Sequence, residues 1–129
     1  MMKNMILGNL AKIKSIFKFL IDNGYAFRVL NAYEVCFIHN NKNFIMSTER
    51  YSSKIQIDIN FGEDLVNRHE YSIGWIYNLS GPEVPLKGLD QLRKLEILSK
   101  FISDNYNSIV DENFCKKMEK KYNNVIDTL

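Results

Sequence analysis

Apolar residues near the start of the chain recur at intervals of four and three. These positions are Ile6, Leu10, Ile13, Phe17 and Leu20. Such spacing places them along one side of a helix, while three nearby lysines fall largely off that side. Asn23 and Gly24 then supply residues that tolerate positive φ, which is the usual helix stop. The pattern predicts an amphipathic helix from about Asn4 to Asn23.

From Tyr25 onward the apolar period shortens to two, which is typical of half-buried strands. The clearest alternation runs from Ile55 to Phe61, where isoleucines alternate with polar residues. The segment Tyr71–Asn78 alternates in the same manner and is predicted to be a further strand. Three earlier β-rich runs are Ala26–Leu30, Tyr33–His39 and Phe44–Glu49.

Short links join these runs. They are Asn31-Ala32, the stretch Asn40–Asn43, and a third turn at Tyr51-Ser52-Ser53. Asparagine tolerates the left-handed conformation that tight turns need, and links of two to four residues are too short for parallel crossovers. The sequence therefore predicts an antiparallel meander of four or five strands.

The last third of the chain returns to helical spacing. Residues 79–88 hold both prolines and two glycines and are predicted to form a loop. A helix should follow from Leu89 or Asp90 to about Asn105, and a shorter one from Asp111 with Phe114, Met118 and Tyr122 on one side. The fold class expected is α+β, as one domain over residues 1–129, with the helices packed on the sheet.

Charge and cysteine content narrow the class of protein. The 17 Lys and Arg residues nearly balance the 15 Asp and Glu residues, which argues against nucleic acid as a partner. No segment is long and apolar enough to suggest a membrane span or a secretory signal. The two cysteines are far apart and form no CxxC pair, so a reducing, cytoplasmic location is expected.

Residues that could carry chemistry are few. His39 and His69 lack the companion ligands of a metal site, and Cys36 and Cys115 are expected to be buried and inert. No glycine-rich phosphate motif occurs. The sequence thus predicts no catalytic residue, no metal and no cofactor, and an enzyme is less favoured than a binding protein. Aromatic residues near Trp75 could stack RNA bases, but neighbouring acidic residues and the frequency of aromatic cores argue against it.

An acidic segment before the tryptophan is the one candidate binding feature. It comprises Glu63, Asp64, Arg68, His69 and Glu70. Loops carry much of protein recognition, and acidic side chains steer basic partners. The alternative is an ordinary solvated loop.

The whole layout resembles that of small bacterial immunity-type proteins that accompany polymorphic toxins. The resemblance rests on the order of elements, the segment YSIGWIYNL and the later helix GLDQLRKLEILSKFI. It implies a stoichiometric inhibitor that covers a toxin-like, often basic, partner and has no catalysis of its own; no motif assigns residues to that role. Two alternatives remain open: a small-ligand protein or enzyme with a site assembled from scattered residues, and an oligomeric structural subunit.

Overall fold

A computed structural model describes residues 6–49 and 54–127. It shows a five-stranded antiparallel sheet in which each strand pairs with the next along the chain. The strands are β1 (Ala26–Asn31), β2 (Glu34–His39), β3 (Lys42–Ser47), β4 (Gln56–Phe61) and β5 (Glu70–Ser72). The predicted α+β class and the meander are therefore confirmed.

Helices precede and follow the sheet. A short 3-10 turn (Leu7–Asn9) leads into α1 (Leu10–Ile16) and α2 (Lys18–Asp22); after the sheet come α3 (Ile73–Leu79), α4 (Gln91–Asp104), α5 (Tyr106–Ile109) and α6 (Glu112–Asp127). The single N-terminal helix that was expected is interrupted at Phe17, whose φ of −103° and ψ of 26° leave the helical region. Gly24 ends this region with a φ of 92°, as its position predicted.

The turn chemistry of the sequence is visible between β2 and β3. Asn40 and Asn41 both adopt positive φ, at 46° and 62°, and make a two-residue connection. Lys42 and Asn43 already belong to β3, so the predicted four-residue link is shorter than expected. The third predicted turn, at Tyr51-Ser52-Ser53, lies outside the described residues.

The prediction that Tyr71–Asn78 forms a strand is wrong beyond Ser72. Ile73–Leu79 is helical, and the Ser72 side chain caps it by accepting a hydrogen bond from the backbone N–H of Trp75 at 3.3 Å. The buried residues of this segment are Ile73, Ile76 and Tyr77, whose spacing of three and one is typical of a helix. The alternation of Ile73, Trp75 and Tyr77 is typical of a strand. The cap decides between the two patterns.

The helices and one face of the sheet enclose a single apolar core. Phe17 packs on Phe37 of β2 with ring centroids 5.7 Å apart, and Leu95, Leu98 and Ile102 of α4 join the same cluster. Ser99 of α4 also donates to the carbonyl of Ile16 at 2.8 Å. The N-terminal helices and α4 therefore share one face of the sheet. None of the helices in the described parts of the chain could cross a membrane.

Candidate functional site

The second face of the sheet carries the polar chemistry of the molecule. Alternation along the strands turns every other residue away from the helical layer. Strand register aligns one such row across the whole sheet, consisting of Arg28, Cys36, Ile45, Asp58 and Ser72. Cys36 and Ile45 are fully buried yet lie outside the apolar core. We call this second side the polar face.

Arg68 reaches across the polar face from the segment that links β4 to β5. Its guanidinium pairs with Glu34 of β2 and with Glu70 of β5, and it also donates to the carbonyl of Leu65 at 2.8 Å. The Arg68 side chain retains only 16% of its exposure. The linking segment is thus folded over the middle of the sheet.

Asp58 lies beneath this bridge and is 7% exposed. Burial raises the pKa of its carboxyl to about 7, and the charge of Glu70 together with a hydrogen bond between the two carboxyls adds to the effect. Arg68 acts in the opposite direction, while Glu34 adds further repulsion. Arg68 therefore bridges two carboxylates and lies near a third, and Asp58 is partly protonated at neutral pH.

A cleft of about 530 Å³ opens beside this carboxyl group, at the end of the sheet where β4 begins and β5 ends. Asp58 and Glu70 line it from the sheet, Trp75 and Asn78 from α3, and Lys94 from the first turns of α4. Trp75 is 42% exposed and its indole stacks on Tyr122 of α6, with ring centroids 4.0 Å apart. The volume and the mixed lining are those of a small-ligand site.

Lysines line the same cleft away from the carboxyl pair. Lys94 donates to the carbonyl of Ile55 at 2.9 Å and forms no ion pair with the described residues. Burial lowers its pKa, and the neighbouring charge of Lys54 lowers it further. Lys87 contributes a third ammonium from the loop before α4. The cleft therefore presents both signs of charge to one volume.

The five residues predicted to bind a partner do not form a single exposed patch. Glu63 and Asp64 are exposed, and the Asp64 carboxylate accepts from the backbone N–H groups of Val66 and Asn67, which lower its pKa. Arg68 and Glu70 turn inward to the bridge described above. His69 points to α6, where its Nε2 lies 2.9 Å from a carboxylate oxygen of Glu119.

A second open cleft, of about 520 Å³, lies on the polar face toward the turn between β2 and β3. Glu63 lines it together with Arg28 of β1, Ile38 of β2 and Asn43 of β3. The segment that carries Arg68 thus has a cleft at either end, and the exposed acidic residues stand at the margin of this one.

Sequence reasoning missed Asp58 and Glu34. Asp58 occupies a polar position in an alternating strand, a pattern that is typical of a solvent-facing side chain. The segment that carries Arg68 folds over Asp58. The spacing of residues 62–69 does not indicate that Arg68 reaches β2. The available signal was a carboxylate inside a strand, where acidic residues are uncommon.

The two cysteines and His39 are the remaining candidates, and each is packed against other residues of the fold. Burial raises the pKa of the Cys36 thiol, against the opposing charges of Arg28 and Arg68, and raises that of Cys115 to about 12. The ring of His39 packs on Tyr25, with centroids 5.1 Å apart. Throughout residues 6–49 and 54–127, no three His, Cys, Asp or Glu side chains converge as a metal site would require.

No family model, curated protein or solved structure matches the chain.

Proposed function

We propose that this chain is a non-enzymatic protein-binding module that docks a basic partner on its polar face. The observation that carries the proposal is the local excess of carboxyl groups around the guanidinium of Arg68. Glu34, Asp58 and Glu70 gather around Arg68, and burial together with the charge of Glu70 raises the pKa of Asp58 to about 7. A basic group from a partner would offset this repulsion.

The more specific form of the proposal is an immunity protein, acting in the cytoplasm, that inhibits a cognate bacterial toxin. The resemblance in the order of elements supports it, although Trp75 stands in a helix and not in the strand on which part of that resemblance rested. An inhibitor of this kind needs a complementary surface and no catalytic group, which fits the polar face.

The test of this proposal uses the product of the adjacent gene. We expect that protein to bind the purified chain and its toxicity to be suppressed when both are co-expressed. A double variant, Glu63→Lys with Asp64→Lys, should slow association roughly tenfold in low salt, because exposed acidic residues at an interface margin mainly steer encounter. Surface plasmon resonance measures the association rate.

The matched control is Asp22→Lys with Asp104→Lys, which changes the net charge equally on the helical side. Both residues belong to exposed i,i+4 ion pairs, whose loss costs little stability. An equal effect of the two double variants would show general charge attraction and would contradict docking on the polar face. A neighbouring gene product that neither binds nor is toxic would contradict the immunity form.

A second candidate function is small-ligand binding, and the cleft beside Asp58 favours it. Its volume of about 530 Å³ falls within the range of ligand sites, and polar groups from the sheet, α3 and α4 converge on it. A protein built only to present a surface has no need of such a cleft.

A further inference from the structure

The cleft beside Asp58 is lined by both acidic and basic side chains, and this limits the ligands that can bind in it. A purely anionic ligand would meet Asp58 and Glu70, and a purely cationic one would meet Lys54, Lys87 and Lys94. Each would gain from one set of charges and be repelled by the other. A ligand with one charge of each sign avoids this loss.

The two sets of charges are separated along β4. The Nζ of Lys94 lies 2.9 Å from the carbonyl oxygen of Ile55, and Asp58 stands three residues further along the same extended segment. At about 3.3 Å per residue this places the two charge sites on the order of 10 Å apart. A free α-amino acid, whose charges stand on adjacent groups, is too short to meet both.

Carboxamide side chains also line the cleft. Gln56, Asn78 and Gln91 line the cleft, each offering a donor and an acceptor of the kind that pairs with peptide groups. The Gln91 carbonyl oxygen already accepts from the backbone N–H of Ile55 at 2.8 Å, so its amide nitrogen remains as a donor. This lining suits a backbone of peptide units.

We propose that the cleft binds a short peptide with free termini, its ammonium group against Asp58 and Glu70 and its carboxylate against Lys94 and Lys54. Two or three residues span the required separation, since an extended chain advances about 3.3–3.6 Å per residue. This inference rests on the second candidate function, small-ligand binding, and names its ligand class. It does not depend on the protein partner.

Two electrostatic features of the cleft support the assignment. Burial and the facing carboxylate of Glu70 keep the pKa of Asp58 raised, and Arg68 and Glu34 are the other charged groups beside it. Lys94 is half-buried and donates to the neutral carbonyl group of Ile55, and the charged group beside it is the like-charged Lys54. Each end therefore has an electrostatic cost that a terminus of opposite charge would relieve.

Trp75 makes the test direct, because it is the only tryptophan of the chain and lines the cleft. Triglycine, N-acetyl-triglycine, triglycine amide and glycine are titrated at about pH 7.5, where more than half of Asp58 and of the peptide ammonium groups are charged, and tryptophan emission is recorded. Triglycine should bind at least tenfold more tightly than either capped peptide. Glycine should bind no better than the capped peptides.

Variants assign the two ends. Asp58→Asn should weaken triglycine and leave N-acetyl-triglycine unchanged, whereas Lys94→Met should weaken triglycine and leave triglycine amide unchanged. Lys54→Met provides a second variant at the carboxylate end, should loss of the Lys94 contact with Ile55 disturb the fold. Lys12→Met and Asp22→Asn are controls away from this cleft, and thermal unfolding confirms that each variant is folded.

The outcomes distinguish a failure of the peptide assignment from a failure of the small-ligand function on which it rests. If a capped peptide binds as tightly as triglycine, the two-ended assignment is overturned, while ligand binding in the cleft stands. If no probe changes Trp75 emission or the amide chemical shifts of residues 54–58 and 86–94, both the assignment and the small-ligand function fall. Docking of a protein partner is unaffected by either result.

Discussion

Asp58 is the only carboxyl group in β4 and is buried on the polar face beside Glu70 and Arg68. Alternation correctly placed it opposite the apolar side chains of β4, and that much followed from the residue pattern. Its burial depended on Arg68, which lies ten positions later and reaches β2 through Glu34. Contacts of this kind have no periodicity, so neither the carboxyl cluster nor the cleft could be predicted from spacing.

Asp58 should make the protein less stable as pH rises. Its pKa is about 7 in the folded state against 3.8 in the unfolded chain, so the folded state binds the proton more tightly between these values. The free energy of unfolding therefore falls across this range, by at most roughly 1.4 kcal/mol per unit of pKa difference. Asp58→Asn removes this dependence, and its stability relative to wild type should rise between pH 5 and pH 8 in urea titrations.

Asp64→Asn is the control for this measurement. The pKa of Asp64 is lowered by backbone donors, so its contribution is complete above the unfolded value of about 4 and is lost only in more acidic solution. The stability difference between this variant and wild type should stay constant from pH 5 to pH 8. A parallel rise for both variants would show that Asp58 is not the source.

At the scale of elements, local signals were reliable where a terminus or turn fixed them. Gly24 and the pair Asn40-Asn41 lie where the sequence indicated, and α4 begins at Gln91, beside the predicted start at Leu89 or Asp90. Asp90 caps that helix by accepting from the N–H of Arg93 at 3.3 Å. The failure came at α3, where YSIGWIYNL satisfies both a two-residue and a helical period. Such short apolar segments are ambiguous by periodicity, and only the cap at Ser72 separates them.

The cap at Ser72 should be measurable as stability. Ser72→Ala removes the acceptor for the Trp75 N–H and should lower the free energy of unfolding by about 1 kcal/mol, since that is the usual cost of losing a helix N-cap. Ser72→Asn keeps an acceptor and should retain most of the stability. Chemical denaturation compares the three proteins; equal losses in both variants would contradict the capping role.

At the scale of the whole molecule, the two faces of the sheet are covered differently. One face is closed by α1, α2 and α4 around apolar side chains, a division that the alternation in the strands predicted. The other holds the ion pairs of Arg68 and the cleft near Asn43, while the cleft beside Asp58 lies at the end of the sheet and is lined by residues of both sides. Beside the edge strand β5, α6 is attached by polar and aromatic links: Trp75 with Tyr122, His69 with Glu119, and Tyr71 with Glu112 at 3.2 Å.

The stacked pair should hold the second half of α6 in place. Tyr122→Ala removes the only aromatic contact recorded for this ring in the described structure and should cost about 1 kcal/mol beyond its buried area. Hydrogen exchange should accelerate in residues 118–127 and leave the sheet amides protected. Uniform acceleration across the chain would mean that α6 does not open separately.

The meander order of the sheet also bears on how the chain reaches this structure. Every strand finds its partner in the adjacent stretch of polypeptide, so the search for native pairings closes only short loops and loses little chain entropy. Folding rate falls as contacting residues become more distant in sequence. The sheet can therefore assemble hairpin by hairpin, and the late-synthesised helices have a formed surface on which to dock.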